Sequence, residues 1–504
     1  MRDLFYTGII HNWKRVLVVC SLLGILSLLI FPPKNAQGGK AEPGQSSQLQ
    51  AVDHYLDEAI RKLGVPGGSA ALVYQGEQVY SRSWGITGES EQTVTNETPF
   101  LIGSLSKTLT AYGIMRLVDE GKVRLDVPVQ QYLPWFSLPD AKAASQITIH
   151  QVLTQTSGMS ESAGLNIADQ GASDQLAIQR TVRALAKEPL EAASGNRHIY
   201  SNANYAVLGA VIEEVSGMTY AEFMESSIFS SLEMKHSAAT VRQAEAIGWE
   251  PGFRSWLGLS IPSPIPYDNG GAPYGYVVSS SSDLAKFLIA MQEPGKVISA
   301  DRTKEMIQPA VSVRANHYYG YGWRITQTDT GETRIWHAGS TPDARSEMVW
   351  LPESGWGIVL LTNQNNRLEE ARLSIVATGI QDILLGSEAT PISFPPIMER
   401  WLAVGGVLVL MAITVWLLTS FRRGMETKLR RWVWFTLGGV FFSLAGLVIP
   451  VLLYLTQVSW HTVSLFVPDL AEMVLLMVIF LSMNGVLSLI KASTIPSIKD
   501  IQKS

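Results

Sequence analysis

The 504-residue chain has a single cysteine, Cys20, so no disulfide can form within it. Cys20 follows the bulky Val18 and Val19 and lies inside an apolar run, as a membrane residue would, rather than at a lipoprotein cleavage site. Long basic stretches are missing away from the apolar segments, and the formal net charge is −5, which argues against nucleic acid as a partner. His150, His198 and His317 lack metal-ligand spacing, so neither metal nor cofactor is expected. Finally, the loop Thr456–Asp469 carries no Lys or Arg at all.

What the chain has in quantity is apolar sequence, which makes up 46% of its residues and is concentrated at its two ends. Val16–Phe31 is continuously apolar behind Trp13-Lys14-Arg15, and no small-x-small cleavage site stands near Asn35-Ala36-Gln37. Residues 1–31 therefore read as a cytoplasmic N-terminus with a signal or anchor helix, leaning towards an anchor. Residues 32–50, rich in Gly, Ser, Gln and Lys, read as a flexible linker.

A second linker, 387–400, precedes a membrane region at 401–491. Trp401–Phe421, Trp432–Leu455 and Leu470–Ile490 are each long enough to cross a bilayer, and residues 492–504 form a tail. Arg422, Arg423, Lys428, Arg430 and Arg431 fall between the first two spans, and Lys491, Lys499 and Lys503 follow the third. The positive-inside rule then puts these bases in the cytoplasm and the segment before Trp401 outside. Arg2, Lys14 and Arg15 give the same orientation from the other end. Inside the spans the notable residues are Glu472, near an end, Asn484 and Pro450. Packing and anchoring account for them without a transport role.

Residues 51–386 have the pattern of one large globular domain. Ser69–Tyr74 and Gln78–Trp84 are β-rich runs around Gln75-Gly76-Glu77, a hairpin signal. Strand-like runs return at Thr333–Trp336, Ser346–Leu351 and Gly357–Thr362, before a last helix over roughly Leu368–Leu385. Strands at both ends with helices between them predict an α+β domain: one antiparallel sheet flanked by helices, plus a helical subdomain made from the middle.

Within that middle, Ser104–Glu120 is apolar on almost every side, as in a helix buried by its neighbours, and Gly121 supplies a stop. Ser104 and Lys107 are three residues apart and share a face. A lysine turned inward loses solvation, which favours the neutral amine, and such an amine can take a proton from a neighbouring hydroxyl. A turn at Tyr200-Ser201-Asn202 can present Tyr200 and Asn202 together while Ser201 points away. Strand alternation puts His337 and Gly339 on one face, where the glycine admits a close approach to the backbone.

Ser104-x-x-Lys107, Tyr200-x-Asn202 and His337-x-Gly339, in this order and at these separations, resemble the serine β-lactamase and penicillin-binding protein superfamily. The nearer likeness is to the branch holding class C β-lactamases, D-alanyl-D-alanine peptidases, D-aminopeptidases and related esterases. Thr98–Ile102, Leu117–Lys122, Ile147–His150 with Leu153–Gly158, and Leu351-Pro352 leading into Gly357–Asn363 add to it. The resemblance spans roughly residues 51–386 and leaves the C-terminal spans unexplained.

The resemblance implies that Ser104 attacks a carbonyl while Lys107 and Tyr200 share its proton. Tyr200 beside an ammonium would be a candidate base. Asn202 would bond Lys107 or the substrate amide, and the backbone N–H groups of Ser104 and Ser340 would bind the oxyanion. Many relatives carry lysine where this chain has His337, a cation for the substrate carboxylate. That departure argues against strong β-lactamase activity and makes Arg345 a candidate substitute cation.

Three functions follow. One is an anchored acyl-serine hydrolase acting on D-alanyl peptides or esters of the cell envelope. Another is an esterase, amidase or weak β-lactamase for small molecules. The last is a non-enzymatic sensor that becomes acylated by its ligand.

Overall fold

The computed structural model describes residues 45–328, 331–394, 397–420 and 428–494. The proposed N-terminal helix, most of the first linker and most of the tail lie outside them. Residues 45–394 form one compact unit, and the described residues from 397 onwards form a second.

The first unit is organised by an eight-stranded sheet. Its strands are β1 (Gly67–Tyr74), β2 (Glu77–Gly85), β3 (Val311–Arg314), β4 (His317–Tyr319), β5 (Arg324–Gln327), β6 (Thr333–Ser340), β7 (Arg345–Leu351) and β8 (Trp356–Thr362), in the spatial order β2-β1-β8-β7-β6-β5-β4-β3. All neighbours are antiparallel, and β1 meets β8 from Gly68 opposite Thr362 to Tyr74 opposite Trp356. The two ends of the domain thus build one sheet, as the sequence predicts. The β1–β2 turn uses left-handed backbone at Gln75 and Gly76, the conformation a tight hairpin needs.

Both faces of the sheet are covered, so the central strands β1, β8 and β7 are buried at nearly every position rather than at alternate ones. On one face Ala70, Leu72, Val349, Leu351, Ile358 and Leu360 pack with α1 (Gln45–Leu63) and with α5 (Ala371–Leu384). On the other, Ala71, Val73, Met348, Val359 and Leu361 join the larger core. That core includes α2 (Ser106–Asp119), α3 (Asn202–Ser216) and α4 (Ser281–Gln292). The period of two along β6 then turns Ile335 into this second core and Trp336 into the first. His337 is next in line to face the helices.

In the second unit α6 (Met398–Ser420), α7 (Lys428–Thr456) and α8 (Pro468–Thr494) each contain a stretch long and apolar enough to span a membrane. Helix α8 packs against both of the others. Polar pairs cross between α6 and α8. Arg400 meets Asp469 at 2.5 Å, Thr414 Oγ1 donates to Asn484 Oδ1 at 2.8 Å, and Lys491 donates to Ser420 Oγ at 2.6 Å. The partners are about seventy residues apart in each case, as two parallel helices in fixed register require. Of these six residues only Asn484 is prominent in the sequence as an intramembrane polar group.

Candidate functional site

A short 3₁₀ turn, Gly103–Leu105, leads directly into α2. Gly103 has φ +52°, and a Cβ there would lie 2.2 Å from the Ser340 nitrogen and 2.7 Å from the Gly339 carbonyl carbon. Only glycine allows this contact, which sets the start of the helix against the end of β6. Gly339 is equally constrained, because its own Cβ would meet Ile102 O at 1.8 Å. The first and third motifs are therefore joined backbone to backbone.

Ser104 is half-buried, whereas Lys107, one turn on, is completely buried. Lys107 Nζ lies 3.0 Å from Ser104 Oγ, 2.8 Å from Asn202 Oδ1 and 2.7 Å from Tyr274 O. Desolvation holds its pKa well below the ordinary lysine value, and the Arg324 charge adds to that. Two of its three partners, an amide oxygen and a backbone carbonyl, can only accept. A neutral amine donates to those two and turns its lone pair to the third, Ser104, the one of the three with a proton to give. The arrangement can therefore deprotonate an alcohol.

Tyr274 O is available because residues 272–276 form a π-helical turn, which leaves a carbonyl outside the usual ladder. The turn is fastened to α2 by Thr110, which donates to Pro273 O, and by Ser106, which accepts from Val277 N. No motif in the sequence marks it.

Ser201 caps α3, accepting from Ala203 N and donating to Ser160 O, and it is buried. Tyr200 and Asn202 on either side reach Lys107, whose nitrogen is 5.0 Å from the Tyr200 ring centre. Burial raises the Tyr200 pKa, against the Arg324 charge and a hydrogen bond with Ser104 that lower it. Burial thus favours the neutral phenol at Tyr200 and the neutral amine at Lys107, the opposite direction to a tyrosinate paired with an ammonium.

His337 is buried and its ring centre is 6.1 Å from that of Tyr200. Desolvation, aided by Arg324, Lys107 and Arg345, pushes its pKa well below the usual histidine value. Nδ1 is 2.8 Å from Ala338 O, so Nδ1 carries the proton and Nε2 is an acceptor. Burial thus disfavours a charged His337. Nor is Arg345 free to take over that task, because it is buried with Nη1 on Gly339 O at 2.8 Å and Nε on Glu370 O at 3.3 Å. Its role as substitute cation is corrected accordingly.

A cation that no sequence motif singles out, Arg324 on β5, also borders the site. It is half-buried, with its guanidinium 5.1 Å from the Tyr200 ring centre, and no described acid pairs with it. The signal was weak, since a single arginine on a strand three residues before a turn is ordinary. His198, which lacks metal-ligand spacing in the sequence, also borders the site. It packs against Tyr319 at 5.2 Å, next to Tyr200, and burial lowers its pKa to about 4. His150, by contrast, bonds Tyr321 at 2.9 Å. No group of three or more His, Cys, Asp or Glu side chains that could hold a metal occurs among the described residues.

With sheet, helices and site in place, the chain falls into the serine β-lactamase and penicillin-binding protein class. The Beta-lactamase family profile matches residues 52–379, well over half of the chain, which therefore belongs to that family. It is similar to Protein flp of Staphylococcus aureus (strain COL), at 24% identity over 320 residues and 63% of each chain. It is also similar to penicillin-binding protein 4 of Amycolatopsis lactamdurans, at 28% identity over 314 residues, 59% of this chain and 81% of that one. The chain thus spans 63% of the length of the staphylococcal relative. Among solved structures, the octameric penicillin-binding protein homologue from Pyrococcus abyssi superposes with a TM-score of 0.60 at 27% identity, covering 71% of this chain and 82% of that one.

Proposed function

We propose that this protein is a membrane-anchored serine hydrolase that works through an acyl-serine intermediate on D-alanyl peptide or ester groups of the cell envelope. The observation that carries the reading is Lys107: a fully buried amine 3.0 Å from Ser104 Oγ whose other two partners are acceptors only. Ser104 Oγ attacks the carbonyl carbon as its proton passes to Lys107, with Tyr200 as the shuttle towards the leaving group. Asn202 holds Lys107, and the Ser104 and Ser340 N–H groups bind the oxyanion, a contribution of about 2.7–4 kcal/mol per donor in comparable sites. Water then releases the acyl group.

With His337 neutral and Arg345 engaged, Arg324 is the cation at hand for a substrate carboxylate such as the terminus of a D-alanyl peptide. The residue distribution of Lys and Arg around the three apolar helices supports a domain outside the cytoplasm.

The test uses the full chain in detergent with a fluorescent penicillin, an activated ester and a D-alanyl-D-alanine peptide, beside Ser104→Ala. Turnover lost in Ser104→Ala is the expected result. Stable labelling without turnover favours the acylated-sensor reading. An intact protein that neither labels nor hydrolyses would refute acyl-serine chemistry altogether.

A further inference from the structure

Behind the end of β6, on the side away from Gly103, three consecutive residues are held by buried polar groups. Arg345 donates to Gly339 O at 2.8 Å. The Ser340 hydroxyl donates to Glu370 Oε1 and accepts from Asn365 Nδ2 at 2.8 Å. The same Asn365 nitrogen donates to Thr341 O at 2.6 Å. Glu370 and Asn365 are 8% and 3% exposed, and Glu370 Oε2 is bound by Arg367 at 2.5 Å. Although burial opposes its ionisation, Arg367 and Arg345, with Ser340 and Asn365, keep the Glu370 carboxyl below the usual range.

A strand end next to a turn is normally free to shift, and here Thr341–Ala344 is such a turn, closed by Thr341 N on Ala344 O. The grip removes that freedom at the residue whose nitrogen packs so closely on Gly103 that a Cβ there would lie 2.2 Å from it. We infer that Glu370, with Asn365, is the positioning residue of the oxyanion hole: by holding the Ser340 hydroxyl it fixes the direction of the Ser340 N–H. The inference rests on the proposed acyl-serine reading. Glu370 touches no reacting atom and acts only through Ser340. Its negative charge, which would oppose a developing oxyanion, is offset by the two guanidiniums.

The test is a double-mutant cycle on ester hydrolysis by the full chain in detergent, with Ser340→Ala, Glu370→Ala and the double variant. Ser340→Ala keeps the backbone N–H and loses only the handle. Each single variant should lower kcat about 10- to 100-fold with KM little changed, since misplacement of about 1 Å carries costs of that order. The double variant should be no worse than the worse single one, because both cut the same link. Glu370→Gln keeps an acceptor for the Ser340 hydroxyl and should restore most of kcat.

Multiplying effects in the double variant, a change in KM alone, or a Glu370→Gln as slow as Glu370→Ala would overturn the role. If Glu370→Ala does not fold, Ser340→Ala decides by itself: a native melting temperature with undiminished kcat overturns the proposal. Failure of the underlying reading looks different, for then the unaltered protein shows no turnover.

Discussion

Lys107 Nζ and Ser104 Oγ are 3.0 Å apart, and the other two hydrogen-bond partners of the lysine, Asn202 Oδ1 and Tyr274 O, can only accept. Under the proposed reading this pair sets the acid limb of the reaction. Protonating Lys107 occupies the lone pair that Ser104 needs, so kcat/KM should fall as pH is lowered through the lysine's depressed pKa. Lys107→Met should reduce kcat/KM by about 10²- to 10⁴-fold, the usual range for a general base, and flatten that limb. A pH–rate profile of both proteins on an activated ester checks this. A variant that keeps the wild-type limb would assign the base elsewhere.

The same burial makes a statement about stability. In the folded chain Lys107 has a pKa below its unfolded value, so between the two the unfolded chain binds more protons. Stability therefore rises with pH across that window, by up to about 1.4 kcal/mol per pH unit, and is lost as pH falls. His337 acts with the same sign below its ordinary value. The melting temperature of the wild type should climb relative to Lys107→Met as pH rises above the histidine range towards the ordinary lysine value. Parallel curves would mean that Lys107 is charged in the fold.

Much of this site was legible in the sequence because helical and strand periods are local. Three-residue spacing put Ser104 and Lys107 on one face, and the all-round apolar pattern of 104–120 signalled the burial that depresses the lysine. Tyr200 and Asn202 flank a serine that caps a helix, a signature written in adjacent residues. What could not be read depends on non-local packing. Tyr274 contributes a backbone oxygen, which no side-chain pattern encodes. Arg345 and Arg324 look alike in sequence, yet the first is spent on two carbonyls and the second lies over Tyr200. Glu370 lies 30 residues beyond Ser340 and meets it only because α5 returns across the sheet.

Arg324 offers a test of substrate charge. Its guanidinium is 5.1 Å from the Tyr200 ring centre and pairs with no described acid, so an arriving carboxylate can reach it without displacing a partner. Arg324→Gln should raise KM about tenfold or more for a D-alanyl-D-alanine peptide, given about 1.5–3 kcal/mol for hydrogen bonds to charged groups. A neutral ester should be little affected. The same variant removes a charge that lowers the Lys107 pKa, so the acid limb should move to higher pH. Equal losses on charged and neutral substrates would refute a role in carboxylate binding.

In the helical unit, Arg400 and Asp469 form an ion pair at 2.5 Å with side chains 7% and 0% exposed. A pair so buried adds little net stability relative to apolar residues, because desolvation offsets the attraction. Loss of one member is another matter, since it leaves a buried charge without its counter-ion. Asp469→Ala should therefore destabilise the bundle by about 3–5 kcal/mol, whereas replacing both with Leu should cost much less. Thermal unfolding of the three variants in one detergent separates the cases. If Asp469→Ala and the double replacement melted alike, the pair would be solvated, and the register of α6 on α8 would rest on other contacts, the Thr414–Asn484 and Ser420–Lys491 bonds among them.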